Sequence, residues 1–207
     1  GDFTGTYFNV GAGYDLNEKY GILAKVSSNS VAPNYNFLLY QSDYINYNWQ
    51  NDFKNTETQK LQVVLKAKKI AELEASYATI SQYSYFTKNA DLAIVPLQYA
   101  DNIDVLKVKL TQGIKYWKLG LDNTVMYQNV QGGENIYNVP EFVTRNSLYY
   151  EDHWFKKNAL FLQAGVTLKY FSGYKADAYD PVLSEFYVQN IEEIGAYPQF
   201  DIFINGK

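Results

Sequence analysis

Hydrophobic and polar residues alternate along two adjoining segments within residues 106–131. A reversal at Trp117 and Lys118 would pair Tyr116 with Leu119 and place the apolar positions of both segments on one face. The remaining positions are charged or small, so apolar and polar residues segregate with a period of two. The pattern predicts a long antiparallel hairpin with one apolar and one wet face. Trp-Lys departs from the Asn-Gly or Asp-Gly chemistry that two-residue turns favour, and a turn one residue longer would change this register.

The same alternation recurs along the chain and indicates about nine strands in all. The clearest example covers Ala159–Ser172, where apolar side chains occupy every second position. Short turns are predicted near residues 15–19, 67–71, 117–118 and 151–158, and they alternate with long connections at 29–57, 84–104, 131–140 and 173–198. Bacterial outer-membrane barrels alternate short turns with long outer loops in this way, whereas a soluble sandwich has no reason to do so.

Strand length and strand number together predict the architecture. The two hairpin strands run to roughly 11 residues, close to the 9 to 11 that a tilted strand needs to cross a bilayer. We therefore expect an all-β chain: a transmembrane antiparallel up-and-down β-barrel in which residues 1–207 form a single region. Single-chain bacterial barrels have an even number of strands, so a count of about nine predicts that this region is part of a larger barrel.

The composition narrows the range of functions. The chain has 21 Tyr and 12 Phe, residues that suit β structure and membrane-interface girdles. Its net charge of −4 lacks the basic footprint of a nucleic-acid binder. With no Cys, one His (His153) and one Arg (Arg145), thiolate or His-rich metal sites and most catalytic triads become improbable. We expect no cofactor, no metal, no nucleic-acid partner and no enzymatic activity.

Two groups of residues could in principle support catalysis or metal binding. His153 lies near Glu151 and Ser147, a set that could in principle hydrolyse lipid, but sequence proximity supplies no catalytic geometry and a solvated turn explains it better. The acidic segments 101–104 and 177–180 could offer oxygen ligands to Ca²⁺, yet both lack the Gly-punctuated spacing of a calcium loop. Neither group predicts an active site.

Four segments resemble the putative porin family of Bacteroidota-type outer membranes. They are PNYNFLLYQSDYINYNWQN at 33–51, LDNTVMYQNV at 121–130, VPEFVTRNSLYY at 139–150 and FLQAGVTLKYFSGYKADAYDPVLSEFYVQN at 161–190. The resemblance implies an outer-membrane β-barrel and brings no catalytic residues. Members of that family continue past the position of Lys207 to a closing aromatic strand, so the resemblance also implies that this chain lacks the closing strand.

The alternation assigns residues to the two faces of the expected barrel. The residues predicted to face the lumen are Lys25, Glu72, Glu74, Lys107, Lys109, Lys115, Asp122, Arg145 and Lys169. They would either set the local field of a pore or pair across strands and keep a plugged or closed interior hydrated. The residues predicted to face lipid are Val108, Leu110, Val125, Leu162, Val166 and Leu168. Because both signs occur in the lumen set, we expect no strong selection for anions or cations.

Two features point to protein partners. Gln112 and Asn123 break the apolar face at one paired level, which makes them a candidate subunit contact or a hydrogen-bonded pair within lipid. The aromatic segment Pro33 to Trp49 is a second candidate contact surface, because exposed Tyr and Trp favour partners.

The leading interpretation is an integral outer-membrane barrel, in contact with outer-membrane lipid and lipopolysaccharide, that lets small solutes diffuse passively. A non-conducting structural or docking subunit, which would bind other outer-membrane proteins or further copies of itself, is the first alternative. A soluble secreted β-sandwich that binds carbohydrate is the second alternative.

Overall fold

The computed structural model describes residues 5–207, and the chain there is almost entirely β structure. In chain order the elements are β1 (Thr6–Asp15), β2 (Tyr20–Val31), α1 (Tyr35–Leu38), β3 (Leu39–Tyr40), β4 (Trp49–Gln50), β5 (Thr56–Ala67), β6 (Ala71–Ser81), β7 (Ser84–Lys88), β8 (Ile94–Gln98), β9 (Ile103–Tyr116), β10 (Leu119–Gln131), β11 (Phe142–Trp154), a short 3₁₀ segment (Lys156–Asn158), β12 (Leu160–Phe171), β13 (Ala178–Asp180), β14 (Glu185–Val188) and β15 (Gln199–Gly206). No helix among these residues is long and apolar enough to cross a membrane.

The long strands form one antiparallel sheet of nine strands in the order β1-β2-β5-β6-β9-β10-β11-β12-β15. Each long strand pairs with the next long strand along the chain, so the sheet is a meander. β1 and β15 are its two edges, and within residues 5–207 they do not pair with each other. The all-β prediction and the count of about nine strands are therefore confirmed, while the sheet is open in this structure.

The register predicted for the central hairpin is confirmed. Tyr116 pairs with Leu119, and the pairing continues without a bulge to Asp104 with Gln131. Trp117 supplies the turn despite its unfavourable residue type, because it adopts a φ of 55°. A positive φ at the first central position is what the type I′ and II′ hairpin turns require.

One predicted turn is shorter than the alternation suggested. Residues 151–154 belong to β11 and pair with β12, although the sequence places them in a polar turn. Lysines of the neighbouring hairpin neutralise Glu151 and Asp152 there: Lys115 Nζ lies 2.6 Å from Glu151 and Lys118 Nζ lies 2.5 Å from Asp152.

All the long connections leave the same end of the sheet, and three of them share a small apolar core. The fourth, residues 132–141, contacts them through Tyr137, whose ring packs against Tyr83. We call residues 32–55, 82–102 and 172–198 the loop cluster. A four-stranded sheet of order β13-β14-β7-β8 lies within it, and its β14 and β7 pair in parallel across two different connections. The buried residues Phe86, Ile94 and Leu183 form its core.

Candidate functional site

The register of the large sheet places all nine predicted lumen residues on one face. Paired residues point to the same side of a sheet and successive residues to opposite sides, so each row of pairs defines a face. One row, for example, joins Lys25 through Gln62 and Ser76 to Lys107. We call this side the polar face; its predicted members are Lys25, Glu72, Glu74, Lys107, Lys109, Lys115, Asp122, Arg145 and Lys169.

The six predicted lipid residues all lie on the opposite side, which we call the apolar face. Leu110 and Val125 are directly paired there, as are Leu148 and Val166. The six members from the sequence are Val108, Leu110, Val125, Leu162, Val166 and Leu168. The sequence pattern therefore separates the two faces as the structure does.

Burial on the two faces is the reverse of that in a water-soluble sheet. Apart from glycines, every buried residue of the large sheet lies on the polar face: Val64, Ser76, Ile103, Val105, Gln128, Tyr149 and Thr167. The apolar face is open instead, with Leu148 58% exposed and Ile202 81% exposed. The sheet is thus curved around its polar face. A cavity of about 380 Å³ lies on that inner side, lined by Asp122, Arg145, Ser147 and Thr167 among others.

Acidic groups on the polar face are mostly neutralised by nearby lysines. Lys115 binds Glu151 at 2.6 Å, and Lys169 Nζ lies 2.5 Å from Asp201. Lys66 Nζ lies 3.5 Å from Glu72. The sequence prediction omitted Lys66, Glu151 and Asp201, as well as Lys60. These residues alternate with apolar neighbours, and that alternation could have assigned them to the polar face.

Several cations on the same face have no ion-pair partner within 4.0 Å among residues 5–207. They are Lys25, Lys60, Lys107, Lys109 and Arg145. Among the same residues, the acids of this face without an ion-pair partner are Glu74 and Asp122. Unpaired charge on the polar face is therefore predominantly positive.

The apolar face carries one polar row. Gln112 and Asn123 pair as predicted, and the row continues to Asn146 of β11. Asn146 donates to Asn123 Oδ1 at 2.9 Å, and Thr144 donates to Asn146 Oδ1 at 2.7 Å. The row therefore spans three strands near the middle of their lengths, and we call Gln112, Asn123 and Asn146 the amide row.

The structure does not assemble the Ser, His and acid set. His153 lies six residues from Ser147 on the same strand, about 20 Å along an extended chain. Its ring packs beside Phe161, while Ser147 shares a hydrogen bond with Thr167 at 2.8 Å. Among the described residues, no group of three potential metal-ligating side chains occurs either. Asp180 of the acidic loop instead accepts hydrogen bonds from Tyr47 Oη at 3.0 Å and from the Leu183 N–H at 2.7 Å.

Most rings of the aromatic segment Pro33 to Trp49 pack inside the loop cluster, and its role as a contact surface stays a prediction. Phe37 stacks on Phe86 at 4.3 Å between ring centroids, and Trp49 packs beside the same ring. Tyr40 and Tyr47 also pack against the core of the loop cluster. These rings serve internal packing, whereas Tyr35, 56% exposed, and Tyr44, 61% exposed, present aromatic rings to solvent.

Polar contacts join the loop cluster across the sheet. Asn36 donates to Glu185 Oε1 at 2.8 Å, which links the connection after β2 to the connection after β12. Those two strands are separated by five others in the large sheet. The loop cluster therefore bridges widely separated strands at one end of the curved sheet.

A family model described as "Putative porin" matches residues 1–207, the whole chain. No curated protein matches it.

Proposed function

The chain belongs to the putative porin family, and we propose that it forms an integral β-barrel of the outer membrane through which small solutes diffuse passively. The observation that carries this proposal is the reversed burial of the large sheet. Its apolar side chains are open on the outer side, while polar and charged groups line the inner side.

Hydrocarbon is the solvent that fits the apolar face. Large exposed side chains occur on it from the first strand to the last, such as Val10 at 54%, Leu61 at 52% and Ile204 at 72%. Transfer of one such side chain out of water is worth roughly 1.5–3 kcal/mol. Soluble monomers rarely expose a continuous apolar surface of this extent, which also argues against the soluble sandwich.

The stagger of the strands supports closure into a barrel. Ala71 at the start of β6 pairs with Gln112, four residues before β9 ends at Tyr116. The row of Tyr116 reaches Tyr150 of β11, which ends four residues later at Trp154. The hairpins β5–β6, β9–β10 and β11–β12 thus shift in one direction, as strands must when they tilt to close a barrel.

The two ends of the sheet suggest an orientation. Short turns connect the strands at one end and the loop cluster occupies the other, which matches the periplasmic turns and outer loops of bacterial barrels. Under this proposal the loop cluster lies outside the cell, next to lipopolysaccharide, and the polar face lines the pore.

Conductance of the full-length protein in a planar lipid bilayer tests the proposal. We expect discrete current steps and extraction from membranes only with detergent. Release into buffer without detergent would refute the membrane location. Detergent-dependent extraction without current steps would refute the pore and leave a structural role.

The amide row favours that second role, a docking subunit. It lies on the apolar face at mid-height, where hydrocarbon offers no hydrogen bonds, and the Gln112 side-chain amide has no partner among the described residues. A neighbouring protein subunit could satisfy it.

The chain has no Cys, so Gln112→Cys introduces a single thiol for crosslinking in native membranes. We expect an adduct from Gln112→Cys and none from Leu65→Cys, an exposed control on the same face; equal labelling would remove the docking role.

A further inference from the structure

We propose that the pore lined by the polar face prefers anions, an inference that rests on the proposed pore function. The mixture of signs in the sequence suggests little selectivity, and the whole chain carries a net charge of −4. The arrangement of ion pairs changes that expectation for the inner surface.

The polar face carries an excess of basic residues. Its cations are Lys25, Lys60, Lys66, Lys107, Lys109, Lys115, Arg145 and Lys169. Its acids are Asp15, Glu72, Glu74, Asp122, Glu151 and Asp201. The other acids of the described residues lie in loops and turns or on the apolar face of the sheet. The net negative charge of the chain therefore does not describe the charge of the polar face.

Ion pairing removes most of the acids from the inner field. Lys66, Lys115 and Lys169 each hold an acid of the polar face, and Asp15 is held at 3.0 Å by Lys68 of the adjacent turn. A close pair acts as a dipole, whose potential falls faster with distance than that of a single charge. Five cations and two acids remain unpaired, so a mobile ion on the inner side experiences mainly positive potential.

The unpaired cations form a ladder rather than a single spot. Lys60 lies in the row of Val105, and the next two rows contain Lys107 and Lys109. The following row contains Arg145, which is joined through β10 to Thr111. Four consecutive rows therefore each carry an unpaired cation, over about 20 Å of strand.

The ladder covers the half of the sheet nearer the loop cluster and part of the middle. Lys25 shares the row of Lys107 three strands away, so positive charge also extends around the curved wall. Glu74 pairs with Lys109 in the same row and weakens the positive potential there. A concave wall of low dielectric constant concentrates such a field and raises the local concentration of counter-ions. Small anions, including carboxylates and phosphates, are the solute class that this wall favours.

The reversal potential in a KCl gradient measures this preference separately from conductance. We expect the wild-type full-length protein to pass Cl⁻ in preference to K⁺. The double variant Lys25→Gln/Lys107→Gln should lower the Cl⁻ to K⁺ permeability ratio at least twofold, because it removes two unpaired charges. The matched control Asp15→Asn/Lys68→Gln removes one cation and one acid that neutralise each other, and it should leave the ratio unchanged.

A second measurement needs no variant. Raising the salt concentration tenfold shortens the Debye length from about 10 Å at 0.1 M to about 3 Å at 1 M, so the anion preference of the wild-type protein should fall towards unity. Current steps with a ratio at or below unity in low salt, or with equal ratios in the two double variants, would overturn the inference and leave the pore intact. Absence of current steps would overturn the pore, and the anion preference with it.

Discussion

The apolar face of the large sheet and the core of the loop cluster contain the same kinds of residue in opposite surroundings. In the loop cluster, Phe86 is 1% exposed and Leu183 is 2% exposed. On the sheet, Leu148 is 58% exposed and Ile202 is 81% exposed. One protein therefore hides its apolar side chains from solvent at one end and presents them along the strands.

Under the proposed function, the difference follows from the solvent that each region meets. Loops that meet water must bury their apolar residues against each other, and here three separate connections converge to do so. A strand surface that meets hydrocarbon has no such need, and its polar groups must turn inward. Under the proposed function, the boundary between these two regimes is the outer surface of the membrane.

Removal of the central ring of the loop cluster should have the largest local effect. Phe86→Ala deletes the ring that stacks on Phe37 and packs beside Trp49, and truncation of a buried Phe costs about 3–5 kcal/mol. We expect the loop cluster to become sensitive to limited proteolysis while the sheet keeps the heat-dependent gel mobility that the proposed barrel would have.

Tyr44→Ala is the matched control, since Tyr44 lies in the same cluster but is largely exposed. It should leave the proteolysis pattern unchanged. If Phe86→Ala abolished folding of the sheet as well, the two regions would be one cooperative unit and the contrast between them would fail.

Charge placed on the apolar face should have the next largest effect. Leu110→Lys puts an ammonium group at the middle of β9, on the open apolar side, which costs about 2–4 kcal/mol at the centre of a bilayer. The neighbouring Thr111 is also exposed but points to the polar face, so Thr111→Lys should be nearly neutral.

The yield of folded protein in the membrane fraction measures this difference. We expect Leu110→Lys to reduce it severalfold and Thr111→Lys to preserve it. Equal losses for the two variants would show that the faces do not meet different solvents, and the membrane proposal would be wrong.

The sequence predicted the sheet well because the relevant information is local and periodic. Alternation assigns Leu110 and Lys109 to opposite faces without any knowledge of the partner strands. It also predicted the pairing of Gln112 with Asn123, because a two-residue turn determines the register. Alternation predicts the face on which a residue lies but not how exposed it is. Thr167 lies on the predicted polar face but is only 3% exposed, since the curved sheet crowds its inner side.

The loop cluster and the charge balance of the candidate pore could not be predicted in the same way. Phe86 and Leu183 meet although they are far apart in sequence, and no periodicity marks either of them. Ion pairs between strands, such as Lys169 with Asp201, depend on a diagonal across two strands whose separation in sequence is set by a long connection. Charge composition gave the members of the polar face but did not show which of them neutralise each other.

The smallest expected effect is a dependence of the loop cluster on alkaline pH. Tyr83 packs edge-on against Tyr137, and burial, with smaller contributions from Tyr137 and Asp177, raises its pKa from 10.0 to about 12. Since the phenol ionises at lower pH when the cluster is unfolded, its contribution is complete below about pH 10 and is lost as the pH rises to about 12. The shift corresponds to a loss on the order of 3 kcal/mol. Tyrosinate absorbance and near-ultraviolet circular dichroism should report this loosening together, and Tyr83→Phe should reduce it whereas Tyr44→Phe should not. An unchanged transition in Tyr83→Phe would mean that another group controls the alkaline response. Loss of the strands at the same pH would mean that the loop cluster and the sheet unfold as one cooperative unit.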